Sequence, residues 1–182
     1  MNIFYLSPDC LTCAQYHVDK HVVKMILEYT QLLSTAHRML DGTPTIGKSK
    51  TGRNVKRWIL PDVRDSVLYQ ATHINHPSAV WTRESKANYL WLYTLLDFLC
   101  EEYTHRYGKV HKVQADKILG HLYYAPKNIP LDPSFTEPPP AMPDEYKVMN
   151  DSVASYRNYY IGAKSGFAKW KNRETPSWFV MP

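Results

Sequence analysis

Cysteines are few in this chain of 182 residues, and long apolar runs and internal repeats are missing. Three cysteines, an odd number without a disulfide-rich spacing, speak against an extracellular scaffold and point to a reducing compartment. No uninterrupted apolar run approaches the roughly 20 residues that span a bilayer, so no membrane partner is expected. The opening MNIFYLSPDC has no basic stretch followed by an apolar core, and a secretory leader is not expected. Hydrophobic residues at 44% and charged residues at 21% exclude a disordered or collagen-like chain. The length suits one domain with a real core, spanning 1–182.

What is abundant is tyrosine. Fourteen Tyr, five Trp and five Phe make 13% of the chain, so much of the aromatic area carries a hydroxyl that needs water, a protein partner or a ligand. Twenty-two Lys and Arg against 17 Asp and Glu leave a net charge of +5. A basic, Tyr-rich surface points to phosphate-bearing partners.

The pattern predicts a mainly α fold: a single-domain bundle of long helices with a Pro-rich extended strap and at most a few short strands. Asn2–Leu6 reads as a short strand, and Ser7-Pro8-Asp9 as a helix start. One long helix is predicted from about Cys10 to Leu40, with Val18, Val22, Met25, Ile26, Tyr29, Leu32, Leu33 and Ala36 on one stripe. Residues 42–57 hold three Gly and five Lys or Arg with little periodicity and read as a basic, mobile loop, with a brief strand over Val55–Leu60. A short helix runs from Pro61-Asp62 to about Thr72, and His73-Ile74-Asn75-His76-Pro77 breaks it. Further helices are predicted from near Ser85 to Tyr107, ended by Gly108, then over Val113–Tyr124, and from a cap at Asn150-Asp151-Ser152 to Lys164. Seven of the 13 prolines lie in 126–143, the predicted strap.

Two motifs fail on context. Gly42-Thr-Pro-Thr-Ile-Gly47-Lys48-Ser49 fits the phosphate-loop string, yet a helix precedes it and no helix start follows, whereas that motif needs a strand delivering a loop onto a helix N-terminus. Cys10, Cys13, His17 and His21 resemble a zinc set, but on a single helix Cys10 and His21 would sit ~16 Å apart. Structural thiols are the better reading. His17 and His21 sharing a metal with His73 or His76 is disfavoured by the flanking Lys20 and Lys24, so no metal and no cofactor is expected. No Ser-His-Asp or Cys-His constellation can be assembled.

Three clusters remain. His17, His21, Lys24, Glu28 and Thr35 fall within about 40° on a helical wheel, beside the apolar stripe, with Lys20 and Gln31 flanking. They form either an anion-binding cleft or an ion-pair network. His73, Asn75, His76, Trp81 and Arg83 around a Pro-broken turn are residue types that read a base edge, stack on it and grip phosphate. His76-Pro77 as a capping turn and Trp81 as a core anchor explain them equally well. Tyr156, Tyr160 and Lys164, at i, i+4 and i+8 beside Arg157 and Tyr159, suit base stacking or a packed helical face.

The blocks MNIFYLSPDC, CAQYHVDKHVVKMILEYTQLLSTAHR, THINHPSAVWTRESKANYLWLY and CEEYTHRYGKVHK resemble a family of small proteins encoded by tailed bacteriophages. The resemblance covers most of the chain outside 42–57 and 126–143, and it implies residence in the host cytoplasm. More distantly, Asp19, Lys20, His21, Lys24, Glu28 and Gln31, followed by His76-Pro77 and Trp81, are similar to helical pyrimidine-dimer DNA glycosylases. In that family an N-terminal Thr amine attacks the sugar carbon, whereas here Asn2 follows Met1. Fold similarity survives such a loss more easily than activity does.

The expected function is binding, without turnover, of a nucleotide or other phosphorylated small molecule in a basic, aromatic pocket, with sequestration of a bacterial immune nucleotide as the biological role. Nucleic acid is the further partner considered. In this scheme Lys20, Lys24, Arg83 and Arg157 meet phosphate, His17, His21 and His76 donate hydrogen bonds, and Trp81 or Tyr156 stacks on a base, with Glu28, His73, Asn75 and Tyr160 as further ligand-binding candidates. The alternative is a glycosylase-like enzyme in which Lys20 or Lys24 attacks as an amine with Glu28 moving protons. A virion or host-protein interaction module is the third class.

Overall fold

The Asp9 carboxylate accepts the Thr12 amide at 2.8 Å and starts α1 (Cys10–Tyr16) in the computed structural model, which describes residues 1–132 and 134–180. The long helix predicted from Cys10 is two helices, with α2 running from Asp19 to Asp41. The break has a cause in side-chain chemistry. His17 turns extended and its ring nitrogen Nδ1 donates to the Cys13 carbonyl at 2.7 Å. The Arg106 guanidinium takes the carbonyls of Gln15 and His17 at 2.9 and 2.8 Å. These carbonyls are thereby satisfied outside any helix.

Asn2–Leu6 is not a strand, because no partner strand lies beside it. Its backbone groups find side chains instead: Tyr29 takes the Phe4 amide, and Arg157 donates twice to the Leu6 carbonyl at 3.0 and 2.9 Å. All four side chains from Ile3 to Leu6 are buried.

Residues 42–57 are not a loop. Strands β1 (Thr43–Lys48) and β2 (Asn54–Ile59) form an antiparallel hairpin in the register Thr45 to Arg57 and Gly47 to Val55. The turn between them holds Gly52 at φ +79°, where a side chain would be strained. The phosphate-loop string thus lies along β1 and opens onto a second strand, not a helix. Arg38, fully buried near the end of α2, seats the hairpin base: its guanidinium donates to the carbonyls of Trp58, Asp65, Leu68 and Tyr69 and to the Asp65 carboxylate. The same bonds cut the helix predicted to run to Thr72 down to α3 (Arg64–Val67), since the Asp65 and Leu68 carbonyls are already taken.

After the break at 73–76, α4 (Pro77–Glu84) follows, a helix absent from the sequence expectation. Helix α5 (Lys86–Tyr107) runs as predicted, capped by the Ser85 hydroxyl and ended by Gly108 at φ +63°. The helix expected over 113–124 is interrupted at Lys117, φ +58°, into α6 (Lys112–Ala115) and α7 (Ile118–Leu122). Helix α8 (Ser152–Lys164) starts at Asp151, whose carboxylate accepts the Ala154 amide. The chain is therefore mainly α, and β1 and β2 are the only strands among the described residues. The core is built chiefly where α1 and α2 pack on α5 and α4 covers α2, and it also takes in Ile3 to Leu6, Trp170 and Phe179. Among the described residues no helix is long and apolar enough to cross a membrane.

Candidate functional site

The titratable stripe of α1 and α2 divides among separate protein partners. His17 is fully buried between the Cys13 carbonyl and the Tyr29 hydroxyl, 2.7 and 2.9 Å from its two ring nitrogens. Burial pushes its pKa down to about 4. His21 lies 2.6 Å from the Tyr160 hydroxyl and stacks on Phe4 at 4.2 Å. Burial first, then the charges of His17, Lys164 and Lys24, bring it down to about 3. Both rings are therefore neutral near pH 7, and a neutral imidazole gives no net charge to hold phosphate. Lys20 sits 4.6 Å above the Phe167 ring. Lys24 meets Glu28 at 3.1 Å with 67% of its side chain exposed, and the Met1 amino group lies 3.9 Å from the same carboxylate.

The cluster after α3 behaves as a helix start. The His76 ring accepts the Ser78 amide at 3.2 Å with Pro77 opening α4, and Trp81 is buried with its indole N–H donating to the carbonyl and hydroxyl oxygens of Thr136, both at 3.0 Å. Arg83 donates to the Ala79 carbonyl on its own helix. His73 and Asn75 are exposed. His73, held at φ +47°, is close enough to His76 for its charge to add to burial and the Met1 amino group in lowering the His76 pKa, with Glu28 opposing. On α8, Tyr156 and Tyr160 are fully buried. Tyr156 donates to the Pro139 carbonyl at 2.9 Å, and Arg157 is occupied by Leu6. Asn75 and Trp81 line one cavity of about 570 Å³, but Glu84 and Glu137 line it too, which makes it a poor anion site.

Basic and aromatic groups converge elsewhere. A groove of about 580 Å³ runs between α5 and the segment that follows α7. Lys86, Leu90, Tyr93 and Thr94 face it from α5, at spacings of four, three and one that share one helical side. Tyr123, Tyr124, Lys127 and Leu131 supply the other wall. No carboxylate is among its lining residues. The rings are arranged edge to face, Tyr93 to Tyr123 at 5.8 Å and Tyr123 to Tyr124 at 4.9 Å, and Tyr124 keeps 76% of its surface exposed. Such geometry leaves a ring face open for a planar guest.

The wall is pinned at both ends. The Asp41 carboxylate accepts the backbone amides of Lys127 and Asn128, both at 3.0 Å, and the Pro130 carbonyl accepts the Lys86 amide at 3.0 Å. Burial, with the Asp97 charge, holds the Tyr93 phenol above its ordinary pKa, so it remains a neutral donor. A smaller cavity of about 380 Å³ shares Tyr124 and Lys127 with the groove and adds His37, Arg64 and His121. There Arg64 is already held by Asp41 and Asp62 at 2.7 and 2.8 Å. Its guanidinium also donates to His37 Nδ1, and burial with the Arg64 charge lowers that ring to about 4.

None of these groove residues was singled out from the sequence. The available signal was Tyr123-Tyr124 next to Pro126-Lys127, a pair of aromatics outside any apolar stripe. Among the described residues no group of three or more His, Cys, Asp or Glu is placed to hold a metal ion. No family model, curated protein or solved structure matches the chain.

Proposed function

We propose that the protein binds a nucleotide-like ligand, a planar base carrying phosphate, in the groove between α5 and the segment 123–131, and holds it without turnover. The observation that carries this reading is a groove of about 580 Å³ lined by three Tyr and two Lys and by no acid. Its size falls within the usual range for small-ligand sites. Tyr124 stacks on the base, and Lys86 and Lys127 meet the phosphates as point charges. In this proposal the two long helices form the bundle, and the Pro-rich segment is the strap that closes one wall of the groove. Following the resemblance to phage proteins, the ligand is a nucleotide signal of bacterial immunity, sequestered in the host cytoplasm.

The test is a thermal-shift titration with mononucleotides, cyclic nucleotides, ADP-ribose derivatives and short DNA, alongside mass spectrometry of what denatured protein releases. One compound should raise the melting temperature by several degrees and be recovered intact. Tyr124→Ala and Lys127→Gln should each remove most of that shift and leave the unliganded melting temperature within about a degree, since both side chains are exposed. No shift from any compound sinks the proposal.

A second reading, glycosylase-like chemistry by a lysine amine, rests on the 3.1 Å contact of Lys24 with Glu28. An amine activated by desolvation is a buried one, and Lys24 is mostly exposed, which ranks this reading second. A DNA or nucleotide substrate recovered cleaved, with cleavage lost in Lys24→Arg, would put it first.

A further inference from the structure

The hairpin β1–β2 takes no part in the groove. From Thr43 to Pro61 the chain carries Lys48, Lys50, Arg53, Lys56 and Arg57 and no Asp or Glu. Among the described residues none of these five cations enters an ion pair, although Lys and Arg elsewhere in the chain make eight. Lys48 bonds only the neutral Asn54 side chain, at 2.6 Å.

The register sorts them. Cross-strand partners share a face, so Ile46 and Lys56 point the same way, as do Lys48 and Asn54, while Arg57 turns to the other side over Gly47. Lys50 and Arg53 stand in the exposed turn. Lys48, Lys50, Arg53 and Lys56 thus cover one exposed face and the tip, with Ile46, 65% exposed, among them. Among the described residues neither strand pairs with a further strand, so the sheet is a ribbon of two strands. Six residues at ~3.4 Å each make it roughly 20 Å long, and two strands about 4.8 Å apart are narrow enough for a groove of about 12 Å. Its base is rigid because the buried Arg38 holds the Trp58 carbonyl and Asp65 accepts the Leu60 amide.

We infer that this ribbon is a nucleic-acid-binding arm that lays its basic face along the phosphate backbone of duplex DNA. Lys48, Lys50, Arg53 and Lys56 neutralise phosphates, and Ile46 makes the apolar contact within the groove. Duplex DNA is favoured over a flat anionic membrane because the cations sit on a narrow projecting ribbon, a shape that enters a groove, and not on a broad amphipathic face.

Fluorescence anisotropy with a labelled duplex of about 25 base pairs, repeated from about 50 to about 200 mM salt, reads the proposal directly. Four phosphate contacts give a log–log salt slope near −3.6, at about −0.9 per contact. The combined change Lys48→Gln, Lys50→Gln, Arg53→Gln and Lys56→Gln should weaken binding at least tenfold at low salt and flatten the slope by about 3.6, while Lys48→Arg, Lys50→Arg and Lys56→Arg together should keep it. Lys50→Gln and Arg53→Gln alone, in a turn where neither side chain has a partner to lose, should each flatten the slope by about 1, and they decide the matter if the fourfold variant fails to fold. No binding of the duplex at low salt, an unchanged slope in the variants, or phosphatidylserine vesicles outcompeting the duplex would overturn the proposal. The mononucleotide shift assigned to the groove should be the same in all hairpin variants, so either proposal can fail alone.

Discussion

The Tyr29 hydroxyl donates to His17 Nε2 across 2.9 Å while accepting the Phe4 amide at 3.1 Å. The direction follows from the other end of the ring, where Nδ1 faces the Cys13 carbonyl, a pure acceptor, and must carry the proton. One hydroxyl thereby joins the segment before α1, the break between α1 and α2, and α2 itself.

Tyr29→Phe removes that hydroxyl and leaves a ring nitrogen and an amide buried without partners. At about 1–3 kcal/mol for each orphaned group, a loss of roughly 2–6 kcal/mol is expected. Urea unfolding should show a lower midpoint with an unchanged slope.

Three buried histidines make the fold sensitive to mild acid. His17 and His37 are held down to about 4 and His21 to about 3, chiefly by burial, against 6.5 for a free side chain. Above pH 6.5 folded and unfolded states are both neutral at these sites. Below it the unfolded chain takes up protons that the folded chain refuses, so stability falls with pH until the folded rings titrate. Each histidine contributes a slope of about 1.4 kcal/mol per pH unit, and the three together roughly 4. Chemical unfolding at pH 7.5, 6, 5 and 4 should show this loss between pH 6 and 4, and Tyr89→Phe, which loses the acceptor of the His37 Nε2 proton, should change it. A flat profile over that window would contradict the burial of these rings.

Arg38→Lys keeps the charge and loses the planar fork. Five bonds go from that guanidinium to four carbonyls and one carboxylate, and an ammonium has three donors and a different shape. A loss of about 3–5 kcal/mol is expected. Limited proteolysis should then cut first between Trp58 and Leu68, where the freed carbonyls lie.

The thiols should be inert. Burial raises Cys10, Cys13 and Cys100 to about 12, so at pH 8 only about one part in 10⁴ of each is thiolate. A disulfide reagent such as Ellman's should titrate none of the three within minutes in native protein and all three in denaturant.

Periodicity exposed the helices that bury one stripe, and it failed where a distant side chain decides the local structure. Helix α5 was legible because its cap Ser85, its apolar positions and its stop Gly108 are all local. The break at His17 was not, because Arg106, 89 residues away, satisfies the carbonyl there. The strand expected over Val55–Leu60 is β2, but β1 and the hairpin were missed for a related reason: β1 does not alternate strongly, and its pairing with β2 is what makes it a strand. At the candidate site the residue types were anticipated and their positions were not. His17, His21, Tyr156 and Tyr160 look like ligand-binding groups by type, yet a polar group facing the core needs a partner, and here each finds one inside the protein. The alternative reading of His76-Pro77 as a capping turn and Trp81 as a core anchor matches their observed contacts.

The bond from Arg157 to the Leu6 carbonyl joins residues 151 positions apart, and Trp170 donates to the Tyr16 carbonyl across 154. The segment Ile3 to Leu6 is therefore completed by one made 151 residues later. At roughly 5–20 residues per second, Ile3 to Leu6 wait on the order of ten to thirty seconds for α8 to emerge. Throughout that interval four apolar or aromatic side chains lack their final cover, and the closing contacts carry a high loop-closure cost. Closure of the fold around Ile3 to Leu6 therefore waits for α8.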